Sequence, residues 1–385
     1  MEIVCNQNEF NYAIQLVSKA VSSRPTHPIL ANLLLTADQG TNKISLTGFD
    51  LNLGIQTSFE ATVKQSGAIT IPSKLLSEIV NKLPSDTPVS LGVDESSDNI
   101  LIKSNRGSFT LKGIPSDDYP NLPFVESGTS LNIDPISFLK ALKLTIFASS
   151  NDESKQLLTG VNFTFNLKYL ESAATDGHRL AVFLVDNKEN YEDKENNLHD
   201  EENLSVTIPT RSLREIEKLV SLSSSENSIK LFYDKGQVVF ISSSQIITTR
   251  TLEGSYPKYP QLIPDTFSKL FKFNTKQLIE ALERIAVLAD QQSSVVKIKL
   301  DQKDLALISA DAQDIGSANE LVPVSFDFDQ FDIAFNVRYL LEGLKVISSQ
   351  NVIFKCNLPT TPAVLIPDDN INSFTYLVMP VQVRS

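Results

Sequence analysis

The 385-residue sequence contains only two cysteines and three histidines, and it has no tryptophan. The cysteines are Cys5 and Cys356, and the histidines are His27, His178 and His199. These side chains are too few and too scattered for a disulfide framework or for a metal site built from His and Cys. We therefore expect no metal and no other cofactor. Both cysteines lie in strand-like runs, which is typical of core positions.

Long apolar runs are also missing. No stretch approaches the roughly 18 consecutive apolar residues that a membrane-spanning helix requires. The first residues, Met1-Glu2-Ile3-Val4, lack the basic region and the cleavage site of a signal peptide. Hydrophobic residues make up 41% of the chain, which is ordinary for a globular protein. The composition predicts a soluble, cytoplasmic protein without a membrane partner, long enough for two to four domains.

Positive charge is scarce, since 34 lysines and arginines face 46 acidic residues and the formal net charge is −12. An acidic chain argues against a nucleic-acid partner unless its basic residues are concentrated on one surface. The segment 186–204 alone holds eight acidic residues and two lysines. Its low hydrophobicity predicts a solvated loop, with a functional acidic segment as the alternative.

One pattern occurs three times along the chain, a strand that leads into an amphipathic helix. The three copies cover residues 2–21, 130–149 and 269–290. Phe10, Ala13 and Ile14 in the first copy follow the i, i+3, i+4 spacing of a helix with one buried face. Pairs of short strands follow each helix. A second strand-into-helix unit then appears in each copy, at residues 69–76, 206–213 and 333–340.

These repeats predict an α+β fold of three tandem domains, at residues 1–127, 128–266 and 267–385, with an acidic loop inside the second. Pro72 and Pro209 suit the first turn of their helices, and Asn336 suits an N-cap. Each domain holds two strand–helix–strands units, and an antiparallel sheet covered by helices on one face is the economical packing.

The most specific run of residues is Ala174-Thr175-Asp176-Gly177-His178-Arg179-Leu180-Ala181-Val182. Asp-Gly between two apolar runs predicts a tight hairpin turn. Asp176 and His178 also permit a catalytic interpretation, because histidine is the commonest general base. A catalytic site would need a third converging group, and the sequence has no G-x-S-x-G nucleophile motif. A hairpin held by side-chain hydrogen bonds is the alternative.

The run from Thr175 to Val182 resembles the T-D-G-H-R-L-A motif of the bacterial replicative sliding clamps, the β subunits of DNA polymerase III. Three further stretches are similar to that family and occur in its order, at 24–35 (RPTHPILANLLL), 119–122 (YPNL) and 378–380 (VMP). The resemblance implies a ring-shaped head-to-tail dimer with helices inside and sheets outside. It implies a processivity factor for DNA strand elongation that encircles duplex DNA and has no catalytic activity of its own.

The distribution of charge fits that expectation. The six predicted helices carry a net charge of +4, which leaves −16 for the rest of the chain. A mildly basic inner wall would attract phosphates without reading bases, so the contact with double-stranded DNA would be independent of sequence. For any single basic residue, the alternative is that its side chain only solvates a helix face. The candidate DNA-binding residues are Arg24, Lys74, Lys140, Lys143, Lys155, Arg211 and Arg214.

Arg24 is the best single candidate, because it is predicted to end the first helix and prolines stiffen the loop that follows it. The resemblance also implies DNA contact by the loop 150–156, which contains Lys155. Gln156 and Leu157 stand there where some clamps have tyrosines, so aromatic contact with DNA is not expected at this loop.

The resemblance implies one pocket for short peptide motifs of partner proteins, namely the DNA polymerase III α subunit, the clamp loader and other polymerases or repair proteins. Its residues, carried over position by position, are Leu158, Thr175, Gly177, His178, Arg179, Leu180, Pro257, Leu262, Tyr339, Val378, Met379 and Pro380. Gln261 and Gln382 stand where many clamps have arginine, which predicts altered partner affinity. The alternative is that Met379 and Pro380 only close the last sheet.

The segment Ile285-Ala286-Val287-Leu288-Ala289 is apolar over more than one helical turn, so part of it must be covered by something other than its own sheet. The resemblance places a first-domain strand of a second chain against it. The candidate dimer-interface residues are therefore Phe109, Leu111, Val287 and Leu288. An enzyme using Asp176 and His178, and a repeat scaffold unrelated to DNA, are the competing hypotheses. A scaffold would not require basic helices in an acidic chain, and we favour the clamp, located in the cytoplasm at the nucleoid.

Overall fold

The fold was analysed in a computed structural model. It describes residues 1–22, 24–94, 96–105, 107–125, 128–166, 168–186, 203–222, 229–242, 244–289, 293–312, 315–369 and 373–382. The predicted acidic loop falls almost entirely between 186 and 203, outside the described residues. Among the described residues, no helix is both long and apolar enough to cross a bilayer.

The described residues form six α-helices and 25 strands. The helices are α1 Gln7–Val17, α2 Ser73–Lys82, α3 Pro135–Thr145, α4 Thr210–Leu222, α5 Thr275–Ala289 and α6 Val337–Val346. The strands that belong to the first predicted domain are β1 Glu2–Asn6, β2 Asn32–Asp38, β3 Lys43–Phe49, β4 Leu53–Glu60, β5 Thr62–Gln65, β6 Gly67–Pro72, β7 Pro88–Asp94, β8 Asn99–Ser104 and β9 Gly107–Lys112.

The second predicted domain contributes β10 Thr129–Ile133, β11 Gly160–Phe165, β12 Tyr169–Thr175, β13 Arg179–Asp186, β14 Leu204–Pro209, β15 Ile229–Asp234, β16 Gln237–Ser242 and β17 Gln245–Arg250. The third contributes β18 Lys269–Asn274, β19 Val295–Gln302, β20 Leu305–Ala312, β21 Gly316–Phe326, β22 Phe331–Asn336, β23 Asn351–Cys356, β24 Ala363–Pro367 and β25 Ser373–Val378. The α+β class and the three tandem copies of the strand–helix–strands pattern are confirmed.

The starts of the helices follow the local chemistry of the chain, with one shift. The side chain of Asn336 accepts hydrogen bonds from the backbone N–H groups of Arg338 and Tyr339, so the predicted N-cap of α6 is confirmed. Pro72 and Pro209 instead end the strands β6 and β14 and precede their helices. Proline's fixed φ is compatible with the N-cap and with the first helical turn, which is why the sequence pattern misplaced them by one position.

The first helix is shorter than predicted. It ends at Val17 and is followed by one 3₁₀ turn, Ser18–Ala20, after which Val21 is extended with φ of −97° and ψ of 130°. Arg24 therefore lies in the exposed loop beyond the helix and does not end it. Pro25 contributes to this outcome, because the residue before a proline is disfavoured in the helical region.

The strands form three antiparallel sheets. A five-stranded sheet has the order β5-β1-β7-β8-β9, and an eight-stranded sheet has the order β10-β15-β16-β17-β4-β3-β2-β6. A twelve-stranded sheet has the order β14-β11-β12-β13-β25-β24-β23-β18-β21-β20-β19-β22. The two larger sheets each join strands of neighbouring predicted domains, through the pairs β4–β17 and β13–β25.

The chain accordingly divides into two compact units that do not coincide with the three sequence repeats. Among the described residues, the first unit contains 1–135 and 214–251, with the five- and eight-stranded sheets. The second contains 136–186, 203–213 and 252–382, with the twelve-stranded sheet. Cys5 and Cys356 are buried in the first and second unit respectively, as predicted.

Candidate functional site

A tight turn joins β12 to β13, and one aspartate holds it. Asp176 Oδ1 accepts hydrogen bonds from His178 N at 2.8 Å and from Arg179 N at 3.1 Å. Gly177 has φ of 95°, in the left-handed region that glycine tolerates best. The Thr175 hydroxyl accepts from Gly177 N at 3.1 Å and donates to Arg179 O at 2.5 Å. The predicted hairpin is confirmed, and side-chain hydrogen bonds hold its turn.

The same turn is present in the first copy of the repeat, between β3 and β4. Asp50 Oδ1 accepts from Asn52 N at 3.0 Å and from Leu53 N at 2.7 Å. Leu51, with φ of 75°, stands where the second copy has glycine. The repeated aspartate is a signal in the sequence that could have predicted this shared turn, but the motif alone did not reveal it.

The arrangement of Asp176 and His178 is not that of an acid–base pair. One carboxylate oxygen of Asp176 accepts from the turn's backbone, and the other accepts from Arg179 Nε at 3.1 Å. The exposed His178 ring stacks on Tyr339, with centroids 6.1 Å apart and an interplanar angle of 18°. These contacts account for both residues as parts of a folded turn, which removes the support for the catalytic interpretation.

The two cysteines do not supply a nucleophile either. Burial raises the pKa of Cys5 and Cys356 to about 12, so both thiols stay protonated near neutral pH. Within the described ranges, no group of three or more His, Cys, Asp and Glu side chains could hold a metal ion.

The C-terminal strand forms the wall beside the turn. β25 pairs antiparallel with β13, with Arg179 opposite Val378 and Leu180 opposite Leu377. Beyond the strand, Met379 N donates to His178 O at 2.9 Å. Main-chain pairing therefore places Val378 and Met379 directly against the hairpin, although they are about 200 residues further along the chain.

The segment after residue 252 forms a second wall. Tyr256 Oη accepts a hydrogen bond from Thr175 N at 3.0 Å, and burial raises the pKa of this phenol. Tyr259 is buried in an apolar cluster with Leu180 and Leu377. Two tyrosines thus fasten this otherwise irregular segment to the hairpin. Their role was missed by the motif-based prediction, which named Pro257 and Leu262 from this segment.

The surface around the turn is apolar and open. Leu262 is 52% exposed and Met379 is 40% exposed, and Pro257 and His178 are exposed as well. Tyr339 is half-buried against His178. Thr175, Arg179, Leu180 and Val378 are buried beneath them and shape the site without offering much surface.

The short helical segment 153–159 lies next to the turn. Lys155 Nζ donates to Asp176 O at 3.2 Å, while its backbone leaves helical geometry with φ of −98° and ψ of 54°. Leu158 is half-buried in the same segment. Lys155, which the sequence analysis assigned to DNA, thus contacts the turn of the candidate peptide site.

The other candidate DNA-binding residues are all solvent-exposed. They are Arg24, Lys74, Lys140, Lys143, Arg211 and Arg214. Arg24 lies in a loop, whereas the remaining five lie on α2, α3 and α4. Exposure leaves each of these side chains available for phosphate contact.

The candidate interface residues are exposed or half-buried. Phe109 is 38% exposed on β9, and Leu111 is half-buried on the same strand. On α5, Val287 is 68% exposed and Leu288 is half-buried. Ile285 and Ala289 are buried within their own unit, so only part of the apolar segment of α5 is available to a partner.

The sequence matches three family models that together span most of the chain. They describe the N-terminal, central and C-terminal domains of the DNA polymerase III beta subunit, and they match residues 1–123, 132–258 and 260–382.

Known proteins similar to the chain carry corresponding names. The beta sliding clamp of Synechococcus elongatus is 46% identical, and the match covers 100% of both chains. The beta sliding clamp of a Synechocystis species is 41% identical, also over 100% of both chains. The crystal structure of the DNA polymerase III beta chain from Streptococcus pneumoniae superposes with a TM-score of 0.90 at 26% identity, covering 99% of this chain and 100% of that one.

Proposed function

The chain belongs to the DNA polymerase III beta subunit family of sliding clamps, and we propose that two copies encircle duplex DNA. The chain is a non-catalytic processivity factor, which keeps a DNA polymerase on its template during strand elongation. We further propose the finer features of this role, namely how the ring closes, which residues contact DNA and where partner proteins bind.

The proposal of a closed ring rests on strand pairing that recurs between neighbouring copies of the repeat. The fourth strand of the first copy, β4, pairs with the last strand of the second copy, β17, and β13 pairs with β25 in the same way. The equivalent fourth strand of the third copy is β21, and the equivalent last strand of the first copy is β9. The repeat therefore predicts that β21 of one chain pairs antiparallel with β9 of another.

Both strands have the free edge that such pairing requires. Within the described residues, β9 is an edge strand that pairs only with β8. In β21, residues 316–323 pair only with β20, and the pairing with β18 is confined to residues 324–326. Exposed edge strands bind other strands readily unless something covers them.

Apolar side chains next to these edges would add to the main-chain pairing. Phe109 and Leu111 lie on β9 itself. Val287 and Leu288 lie on α5, which packs on β21 and is joined to it by the ion pair of Arg284 with Glu320. Two such contacts related by a twofold axis would close a dimeric ring.

We expect Leu288→Asp together with Phe109→Asp to produce a folded monomer, since burying carboxylates at an apolar contact costs several kcal/mol. The mass from light scattering should fall to that of one chain, 42.6 kDa. Leu75→Asp with Leu358→Asp is the control, because both leucines are exposed and lie away from the two free edges. A dimer mass for the first variant would contradict the interface.

The charges of the observed helices support a DNA-facing role for them. The six α-helices contain eleven lysines and arginines and seven glutamates, a net charge of +4, whereas the whole chain carries −12. The remainder therefore carries −16. Basic helices in an acidic chain can attract phosphates without reading sequence, which lets a clamp slide.

We expect the triple variant Arg24→Glu, Lys140→Glu, Arg211→Glu to load poorly onto primed DNA and to reduce processive synthesis by roughly tenfold at moderate salt, because phosphate contacts are lost. Dimer mass and peptide binding should stay unchanged. The control is Lys43→Glu, Lys230→Glu, Lys303→Glu, which changes the net charge equally but on strands and a turn. Equal processivity of the two triple variants across a salt series would show that the helix charges only solvate the surface.

The open apolar site around the turn supports a peptide-binding role. Met379, Leu262 and Pro257 offer apolar surface, and methionine adapts to varied side chains. His178 and Tyr339 add polar atoms that can orient a ligand. We propose that short motifs of the DNA polymerase III α subunit, the clamp loader and repair proteins bind here, beginning with Gln and ending in an apolar pair such as Leu-Phe. Because Gln261 and Gln382 stand where many clamps have arginine, the affinity of this chain for partner peptides would differ from that of those clamps.

We expect a chain that ends at Leu377 to lose binding of such a peptide, which should bind the intact protein with a micromolar-range Kd because few residues are ordered. The truncated protein should remain a dimer on DNA. Two further variants separate loss of the wall beside the turn from loss of the last residues of the chain. One is a chain that ends at Gln382, and the other is the point variant Met379→Ala. Unchanged calorimetric titration of the Leu377-terminated protein would mean that the pocket lies elsewhere.

Two coarser proposals complete the assignment. We propose domain borders near residues 127 and 266; the first lies between two matched stretches, whereas the second lies six residues inside the third, which begins at residue 260. A clamp acting in bacterial replication would work in the cytoplasm, on the nucleoid.

A further inference from the structure

We propose that Glu342, a side chain of α6 outside the apolar surface of the peptide site, is a positioning residue for that site and acts through Arg179. This inference rests on the proposed peptide-binding role of the turn. It concerns what holds the turn in its binding geometry, since the carboxylate of Glu342 pairs with Arg179, whose side chain is buried beneath the site.

Arg179 is the buried centre of the site's support. Its exposed fraction is 7%, and each nitrogen of its guanidinium donates to a different element. Nε donates to Asp176 Oδ2 in the turn at 3.1 Å, and Nη2 donates to Phe147 O at 2.8 Å. Nη1 donates to Glu342 Oε2 on α6. Arginine is the side chain best suited to three such divergent contacts, because its donors form a rigid fork.

Aromatic rings enclose the same guanidinium. Its central carbon lies 4.6 Å from the ring centre of Tyr339 and 5.5 Å from that of Phe147. Tyr339 also stacks on His178, which is exposed at the peptide site. The position of α6 therefore determines the position of one ring of the site, and Arg179 joins α6 to the turn through both Glu342 and Tyr339.

The helix is held closely against the last strand as well. Tyr376 Oη donates to Tyr339 O at 2.8 Å. Gly343 permits this approach, because a Cβ at that position would lie 2.2 Å from Tyr376 Cε1. The backbone of α6 is thus fixed to β25, and Glu342 with Arg179 forms an ion pair that joins α6 to the turn.

Glu342 suits an experiment because its side chain is 47% exposed. Its removal leaves no cavity in the core, unlike removal of Arg179. Loss of the carboxylate would leave Asp176 as the only anionic partner of the buried Arg179 among these contacts. Because a buried charge with fewer partners is less stable, the guanidinium should change its position and its hydrogen-bond partners. The consequence should appear in the turn and at Tyr339, where a peptide would bind.

The test measures the Kd of a synthetic peptide with Gln first and Leu-Phe last, by calorimetry on the full-length dimer. We expect Glu342→Ala to raise this Kd by roughly threefold to tenfold, in the range of coupling between contacting side chains. Glu342→Gln should lie between, since its amide oxygen can still accept from Arg179. Dimer mass and the midpoint of thermal unfolding should not change.

Glu283→Ala is the matched control. Glu283 is 48% exposed on α5 and pairs with Lys345 at 2.7 Å, so its loss removes an equally exposed carboxylate that does not contact Arg179. Its Kd should equal that of the wild type. In an Arg179→Gln background, Glu342→Ala should cause no further loss of affinity. If Arg179→Gln does not fold, the Glu342 and Glu283 variants decide the question alone.

The outcomes separate this inference from the proposed function. If the wild type binds the peptide and Glu342→Ala binds it equally well, the positioning role is wrong and the peptide site stands. An equal loss of affinity in Glu342→Ala and Glu283→Ala would also overturn the positioning role, because it would reflect surface charge alone. If the wild type does not bind the peptide, the peptide site and the role of Glu342 both fail.

Discussion

Main-chain pairing between the fourth strand of one copy and the last strand of the next is the constraint on which the rest of the structure depends. It occurs twice inside the chain, at β4–β17 and at β13–β25, and it turns three sequence repeats into continuous sheets. The same rule leaves β21 and β9 with free edges. A chain built in this way is incomplete by one strand pairing, and a second copy is the simplest means of supplying it.

The proposed peptide site is a local product of that pairing. The ladder between β13 and β25 places Met379 against His178, and the hairpin alone would have no wall on that side. The first copy has a similar turn at Asp50, but there a Cβ on Gly54 would lie 2.4 Å from Leu122 Cδ2. Side-chain atoms of the first unit therefore occupy the space beside that turn.

Local features of this fold were predictable from the sequence, and the long-range ones were not. Period-3.6 apolar spacing located the helices, and Asp176-Gly177 located the turn, because both signals act between near neighbours. The boundary at Pro72 was wrong by one position for the same local reason that made proline attractive there. The partners of Arg179, the hydrogen bond of Tyr256 and the position of Lys155 depend on elements far apart in sequence, and spacing carries no information about them. The resemblance to sliding clamps supplied the residues of the proposed pocket, but not the network beneath it.

Topological attachment to DNA is the central claim, and retention on closed circular duplex DNA measures it most directly. The protein, loaded onto a nicked or primed circle and separated from free protein by gel filtration, should stay with the circle through a wash at high salt. Cutting the circle once should release it, because a ring slides off an end. Equal retention on circular and linearised DNA would contradict the account, since binding that ignores DNA ends cannot arise from encirclement.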